Sequence, residues 1–177
     1  MKEKLDELRI YPGELVLLCS AVGGGKTRFA RHLAKNVVSR DPMQQIIYLS
    51  DEPCQERMPS NVRYQWMRHP GYRSSLLHIL HLLSSEQNIT MLVIDDLQTL
   101  FCYPDNETEI VSFLRKAARK HHAMILLLVK VPFEPTADEM AAFIRLTEYA
   151  DQVRLLSNSL HCNGNYGIIR IERHHRG

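Results

Sequence analysis

Cysteine is scarce in this sequence, and its spacing excludes most structural uses. The four cysteines among 177 residues are widely separated and form no C-x-x-C pair. A disulfide framework or a zinc site needs cysteines at closer and more regular spacing. The sequence therefore predicts reduced thiols in an intracellular protein, at Cys19, Cys54, Cys102 and Cys162.

Long apolar runs and a strong charge of one sign are also absent. No stretch reaches the roughly 18 apolar residues of a membrane span, and the charged start, Met1–Leu8, predicts no signal peptide. The net charge of +2 neither requires nor excludes nucleic acid. Because repeats, low-complexity segments and linkers are lacking, residues 1–177 are predicted to form one domain with no membrane partner.

A glycine-rich stretch, Ser20–Thr27, is the feature around which the chain is organised. The apolar run Glu14–Cys19 predicts a strand before it, and apolar residues at helical spacing in Arg28–Val38 predict a helix after it. Backbone N–H groups of such a turn surround phosphate oxygens, a lysine reaches the β- and γ-phosphates, and a threonine binds Mg²⁺. The stretch predicts a P-loop that binds ATP and Mg²⁺ through Ser20, Gly23, Gly24, Gly25, Lys26, Thr27 and Arg28.

Ser20 and Lys26 occupy distinctive positions in this loop. Ser20 stands where the usual P-loop pattern opens with glycine. Lys26 is expected to be exposed in the turn, so its replacement by alanine is expected to abolish nucleotide binding and leave the fold intact. A glycine-rich turn that binds nothing is the alternative interpretation.

The second chemical signal is Met91–Asp96, four apolar residues followed by two aspartates. A buried strand of this kind delivers a carboxylate to the Mg²⁺ beside a P-loop. Asp95 is therefore the predicted Mg²⁺ ligand together with Thr27, either directly or through water. Because successive strand side chains point to opposite faces, Asp96 is expected on the other face and is the second choice.

Two carboxylates, Asp51 and Glu52, directly follow the predicted strand Gln45–Ser50. Ligands of open α/β sheets bind at the carboxyl ends of the strands, so these side chains are expected beside the nucleotide. A solvated turn, which acidic residues favour, is the alternative.

Basic side chains cluster on the predicted helix Glu109–His122 and in the C-terminal tail. Basic residues at a helix C-terminus are stabilised by the helix dipole, although like charges at i,i+4 cost a few tenths of a kcal/mol. The functional interpretation is that these side chains contact the phosphates of single-stranded DNA. The helix contributes Arg115, Lys116, Arg119 and Lys120, and a second cluster consists of Arg170, Arg173 and Arg176.

Taken together, the order of these elements resembles the RecA/DnaB-type ATPase core over nearly the whole chain. The resemblance implies an α/β fold, a RecA-like P-loop NTPase with a mostly parallel central sheet flanked by helices and a C-terminal antiparallel hairpin. Family ATPases carry a catalytic glutamate just after the second strand, where Glu52 stands. The resemblance thus implies catalytic roles for Glu52, which would polarise the attacking water, and for Lys26.

The chain departs from helicases and recombinases at three places. Lys130 or Val131 stands where they place a glutamine that senses the γ-phosphate. The following loop is acidic, whereas theirs is basic and holds single-stranded DNA. Arg173 and His175 stand where they have a Lys-x-Arg finger. These departures argue against a processive motor and for slow hydrolysis by the chain alone.

A closer resemblance is to the small RecA-like recombinase paralogues, in particular the ATPase that partners a SWIM-domain zinc protein in a Shu-type complex. Pro53–Pro59, Val62–Gln65 and the following leucine-rich helix, expected over Tyr72–Glu86 and well buried, carry it. It implies an accessory role in homologous-recombination repair, with SWIM-domain or recombinase-family partners, weak binding of single-stranded DNA and, in a eukaryote, nuclear localisation. A DnaB-type helicase domain, cytoplasmic in a bacterium or phage, and a nucleotide-binding scaffold without useful hydrolysis remain as alternatives.

Overall fold

The computed structural model describes residues 10–67, 72–85, 89–96, 107–132, 134–158 and 166–170. The turn of the predicted C-terminal hairpin and the basic tail after residue 170 lie outside these ranges. In chain order, the elements are β1 Leu15–Ser20, α1 Lys26–Arg40, β2 Gln45–Ser50, β3 Val62–Trp66, α2 Tyr72–Ser85, β4 Ile89–Asp95, α3 Glu107–His121, β5 Met124–Lys130, α4 Ala137–Glu148, β6 Gln152–Asn158 and β7 Tyr166–Arg170.

Within the described residues, the strands form one sheet in the order β3-β2-β4-β5-β1-β6-β7. All neighbouring strands pair in parallel except β6 and β7, which pair antiparallel. The central strands are continuous apolar runs, as expected where helices cover both faces of a parallel sheet. The carboxyl ends of β1, β2, β4 and β5 therefore meet at one edge.

Two hydrophobic cores lie on opposite faces of the sheet. Helix α1 packs on one face, where Phe29 and Leu33 join alternate strand residues such as Val16. Helices α2, α3 and α4 cover the other face, where Leu114 and Leu146 are fully buried. The residues of β1 alternate between these cores, so both faces of the strand are dry and its end is held rigidly.

Helix α2 is less buried than its nearly continuous apolar surface predicts. Ile79 is inaccessible to solvent, but the side chain of Leu77 is 66% exposed. The expectation was wrong because a helix on the flank of a sheet buries only the stripe that faces the sheet and its neighbour α3. Of the described helices, none combines the length and the apolar character needed to cross a bilayer.

Candidate nucleotide-binding site

The phosphate loop lies between the end of β1 and the start of α1. Gly23 and Gly25 have φ angles of 74° and 80°, in the left-handed region that side chains disfavour. The N–H of Gly24 donates to the carbonyl of Ala21 at 3.0 Å, and the carbonyl of Gly25 accepts from the N–H of Phe29 at 2.9 Å. The glycines thus let the backbone turn tightly from strand into helix.

Ser20 and Gly24 pack against each other. A Cβ built on Gly24 would lie 2.7 Å from Oγ of Ser20 and 2.9 Å from the carbonyl oxygen of Ala21, which is too close for any side chain. The Ser20 side chain is fully buried, and its hydroxyl donates to the same carbonyl at 3.0 Å. Serine is therefore accommodated at the first position of the loop because the residue above it is glycine.

Lys26 is buried, with 6% of its surface exposed, and this contradicts the expectation of an exposed lysine. The expectation failed because α1 begins at Lys26 itself, so the residue belongs to a packed helix and not to the open turn. Its ammonium group lies near the end of β1. Burial raises the pKa of the Cys19 thiol to about 12, and the charge of Lys26 opposes part of that rise.

Thr27 and Asp95 meet across the edge of the sheet. The Thr27 hydroxyl donates to Oδ1 of Asp95 at 3.1 Å, and the Tyr48 hydroxyl donates to Oδ2 at 2.8 Å. Burial raises the pKa of Asp95, and the hydrogen bonds from Tyr48 and Thr27 oppose that rise. Hydroxyl and carboxylate oxygens are the ligands that Mg²⁺ takes at nucleotide sites, so this pair fits the ion that the P-loop implies.

Tyr48 is the member of this site that the sequence did not reveal. It lies in the middle of β2, is fully buried, and stacks on Tyr64 with 5.2 Å between ring centroids. Burial raises the pKa of the Tyr48 phenol, so the group remains a neutral donor to Asp95. One signal was available: a tyrosine within an apolar strand needs a hydrogen-bond partner for its hydroxyl.

Asp96 is buried and paired with Lys130. Oδ2 of Asp96 lies 2.9 Å from Nζ of Lys130, and only 4% of Asp96 is exposed. The hydrogen bond to Asp96 raises the pKa of Lys130, and the charges of Asp51 and Asp95 add to that rise. Strand alternation did not apply here because β4 ends at Asp95. Asp96 thus lies at the same edge of the sheet as Asp95 instead of being directed to the opposite core.

Asp51 and Glu52 lie just beyond the end of β2 at Ser50. Glu52 is exposed; its N–H donates to Oγ of Ser50 at 3.2 Å, and its carbonyl accepts from the hydroxyl of Tyr64 at 2.6 Å. Asp51 is half-buried. Burial raises the pKa of Asp51, and the nearby charges of Asp96 and Glu52 raise it further. Both carboxylates therefore belong to the edge that carries the loop, and the catalytic role of Glu52 stays a prediction.

The basic cluster of α3 is partly neutralised within the chain. Nε of Arg115 donates to Oδ1 of Asp151 at 2.9 Å, and Arg119 donates to the same oxygen at 3.0 Å. The other oxygen, Oδ2, accepts from the N–H of Leu15 at 3.0 Å. Partial burial raises the pKa of Asp151, but these hydrogen bonds and charges outweigh it and lower the pKa. Asp151 thereby offsets the repulsion between the two arginines.

Of the remaining residues predicted to bind nucleotide or DNA, the structure describes some and not others. Lys116 and Lys120 are exposed on α3, and Arg28 is exposed on the first turn of α1. Arg170 ends β7. The tail residues Arg173 and Arg176 lie outside the described residues. The DNA contacts of all these side chains remain predictions.

Comparison with known proteins assigns the fold. No protein-family model matches the chain, and no curated protein matches it in sequence. The structure is similar to the RadB recombinase, with a TM-score of 0.69 at 14% identity, over 99% of this chain and 88% of that one. It is also similar to the ATPase domain of a DnaB-family protein, with a TM-score of 0.66 at 14% identity, over 90% of this chain and 81% of that one.

The chain therefore has the RecA-like P-loop ATPase fold, as its sequence predicts. Proteins of this fold bind nucleotide and Mg²⁺ in general, and the loop, Thr27 and Asp95 lie where such ligands bind in open α/β sheets.

Proposed function

We propose that this protein binds ATP with Mg²⁺ and hydrolyses it slowly, as an accessory factor that supports recombinase assembly on single-stranded DNA in homologous-recombination repair. The observation that carries the nucleotide site is the 3.1 Å contact between Thr27 and Asp95 beside the glycine loop. It joins the first turn of α1 to the end of β4, the two elements from which a P-loop ATPase holds its metal.

Each side chain has a defined task in this proposal. Lys26 and the loop N–H groups bind the phosphates, and Thr27 and Asp95 hold Mg²⁺, which neutralises phosphate charge when bound. Tyr48 orients the carboxylate of Asp95 through its hydroxyl. Glu52 accepts a hydrogen bond or a proton from the attacking water, as a general base does.

The accessory role is supported by the pairing of Lys130 with Asp96. Lys130 is one of the two residues, with Val131, that stand where the helicases and recombinases that this chain resembles carry a γ-phosphate-sensing glutamine. Here its ammonium group is held 2.9 Å from a buried carboxylate. An ATPase with this pairing at its sensor position is suited to slow turnover. A partner protein would complete the catalytic site by supplying an arginine. We propose a SWIM-domain zinc protein or a recombinase-family subunit as that partner, in the nucleus if the organism is eukaryotic.

The fold likeness to the DnaB-family ATPase domain favours one alternative, a DnaB-type helicase domain. The mass of the protein in solution, with and without ATP and a single-stranded oligonucleotide, distinguishes the two. A ring of six identical subunits would favour the helicase, and a stable one-to-one complex with a zinc-bearing partner would favour the accessory factor. Tight ATP binding without single-turnover hydrolysis, even with partner and DNA, would favour a nucleotide-binding scaffold.

DNA binding is tested by its dependence on salt. Contacts to phosphates release counterions, so affinity for single-stranded DNA should fall steeply as salt is raised. Replacing the exposed Lys116 and Lys120 by glutamine should reduce that slope by about 1.4, which is about 0.7 for each lysine. The matched control is Lys35→Gln on α1, where Lys35 pairs with Glu56. Absence of binding at low salt, or an affinity insensitive to salt, would count against both DNA-acting proposals.

A further inference from the structure

A pocket lies at the edge of the sheet opposite the phosphate loop. Its wall is built at the amino ends of the strands: Pro12 precedes β1, Gln44 precedes β2, Thr90 is the second residue of β4, and Met124 begins β5. The phosphate loop follows the other end of β1. Since β1 has six residues at about 3.3 Å each, roughly 20 Å of strand separates the two places.

The pocket combines an apolar part with a polar part. It has a volume of about 340 Å³, at the small end of the range of about 300–1,000 Å³ for ligand sites. Leu83, Ile89 and Met124 supply apolar surface, and Gln44 and Thr90 supply polar groups together with the histidine pair at the end of α3. A ligand of one or two rings with polar edges matches this lining better than a purely apolar group.

Two side-chain atoms of this lining are buried without a hydrogen-bond partner among the described residues. They are Oε1 of Gln44 and Nε2 of His121. Buried polar atoms are nearly always paired, because an unpaired one has lost its hydrogen bonds to water without replacement. The amide of Gln44 is held in place because its nitrogen donates to Oδ2 of Asp41 at 3.3 Å, so the oxygen is left to accept from another molecule.

The geometry points to this pocket as a binding site for an unpaired nucleobase. A base presents N–H donors that Gln44 Oε1 can accept, and donors and acceptors that suit either tautomer of His121. Its flat faces fit against apolar side chains such as Leu83 and Met124. A plain hydrocarbon would leave both of these polar atoms unpaired.

Two exposed residues adjoin the lining residues along the chain and are of the types that single-strand binding sites use, which combine basic groups with aromatic rings. Tyr11, next to Pro12, is 54% exposed. The exposed Lys120 directly precedes His121 in the last turn of α3. The base can belong to single-stranded DNA or to a free nucleoside. In the first case, the inference rests on the DNA binding proposed above.

The test uses a double variant, Gln44→Leu with His121→Phe, and a matched control, Gln45→Leu with His32→Phe, which changes the same residue types outside the pocket. The probes are an oligodeoxythymidylate of about 16 nucleotides and free thymidine. The double variant removes two unpaired buried atoms, which favours stability, and the 3.3 Å hydrogen bond from Gln44 to Asp41, which opposes it. Its melting temperature should therefore lie close to that of the wild type. Its affinity for the oligonucleotide should fall about tenfold, and that of the control should not change.

A second measurement does not depend on the folding of any variant. The wild type is irradiated with the oligonucleotide carrying 5-iododeoxyuridine, and the adduct is located by mass spectrometry. Adducts at Tyr11, His121, His122 or Met124 support the inference.

A thermal shift of the wild type by thymidine, absent in the double variant, supports the free-nucleoside source even if the oligonucleotide does not bind. In that case the DNA proposal fails alone. Oligonucleotide binding that the double variant retains, with adducts elsewhere, overturns the inference and leaves the DNA proposal standing. No response to either probe overturns both.

Discussion

The hydroxyl of Tyr48 donates to Oδ2 of Asp95 at 2.8 Å, and the hydroxyl of Thr27 donates to Oδ1 of the same carboxylate at 3.1 Å. The carboxylate is thus held between a buried ring of β2 and the first turn of α1. Its orientation is fixed by contacts on both oxygens.

Removal of the phenol tests this arrangement. In Tyr48→Phe, Asp95 loses a hydrogen bond that lowers its pKa, so the pKa should rise further above the usual range. Mg²⁺ binds the ionised carboxylate, so Mg²⁺-dependent ATP binding should weaken and should be lost on acidification at a higher pH than in the wild type. The measurement is a calorimetric Mg²⁺–ATP titration at several pH values, with the exposed Tyr149→Phe as control.

The same variant has a predicted stability profile. The raised pKa of folded Asp95 means that its protonated form favours folding, so its contribution to stability is present at low pH and declines as pH rises through the folded pKa. Loss of the Tyr48 hydroxyl should cost about 1–3 kcal/mol of unfolding free energy at neutral pH and less at acidic pH. A loss that is equal at both pH values would count against a charged partner for Tyr48.

Lys26 is tested by two replacements. Lys26→Ala should abolish ATP binding and also lower stability by about 1 kcal/mol, because the buried stem is lost along with the charge. Lys26→Met keeps an apolar stem, so it should abolish binding with little loss of stability. Lys35→Ala on the same helix is the control, and both effects are read by calorimetry and urea unfolding. An unchanged ATP affinity in Lys26→Met would remove the phosphate-loop assignment.

Hydrolysis is expected to depend on Glu52. Glu52→Gln should retain ATP binding and lose turnover by about 100-fold, because an amide accepts a proton poorly. Asp51→Asn is the paired variant, since both residues follow the end of β2 and strand alternation does not separate them. Single-turnover hydrolysis, with the partner and DNA present, measures both. Loss in Asp51→Asn together with normal turnover in Glu52→Gln would assign the base to Asp51.

Asp151 is expected to stabilise the fold in a pH-dependent manner. The lowered pKa of folded Asp151 gives stability that is present above the unfolded pKa of about 3.9 and is lost as pH falls through the folded value. Asp151→Asn should therefore cost about 2 kcal/mol at neutral pH and progressively less below about pH 4. Urea unfolding across this pH range measures the effect, and the exposed Asp138→Asn on α4 serves as control. A pH-independent difference would contradict the proposed ion pair with Arg115 and Arg119.

Most of the secondary structure could be predicted because it depends on local pattern. β2 occupies its predicted bounds, Gln45–Ser50, and α1 differs from its prediction by two residues at each end. Apolar runs, helical spacing and glycines are properties of neighbouring residues, so they can be recognised in the sequence. The meeting of Thr27 with Asp95 was predicted from two motifs, the glycine-rich stretch and the apolar strand that ends in aspartate.

The rest of the site depends on contacts between distant residues. The pairing of Lys130 with Asp96 arises because β5 lies beside β4 in the sheet, an order that the sequence pattern does not specify. The burial of Lys26 depends on the residue at which α1 begins. Asp151 joins residues of β1 and α3, 136 and 36 positions away along the chain, and no local rule connects them.

The buried position of Lys26 has a consequence for the thermodynamics of ligand binding. A free lysine side chain loses up to about 2 kcal/mol of rotamer entropy when it is immobilised. In this protein most of that loss accompanies folding, since only 6% of the Lys26 surface is exposed. Binding of a phosphate group would therefore require little further ordering of the Lys26 side chain. The loop is in this sense preorganised, so the electrostatic attraction between Lys26 and phosphate is not offset by a further loss of conformational entropy.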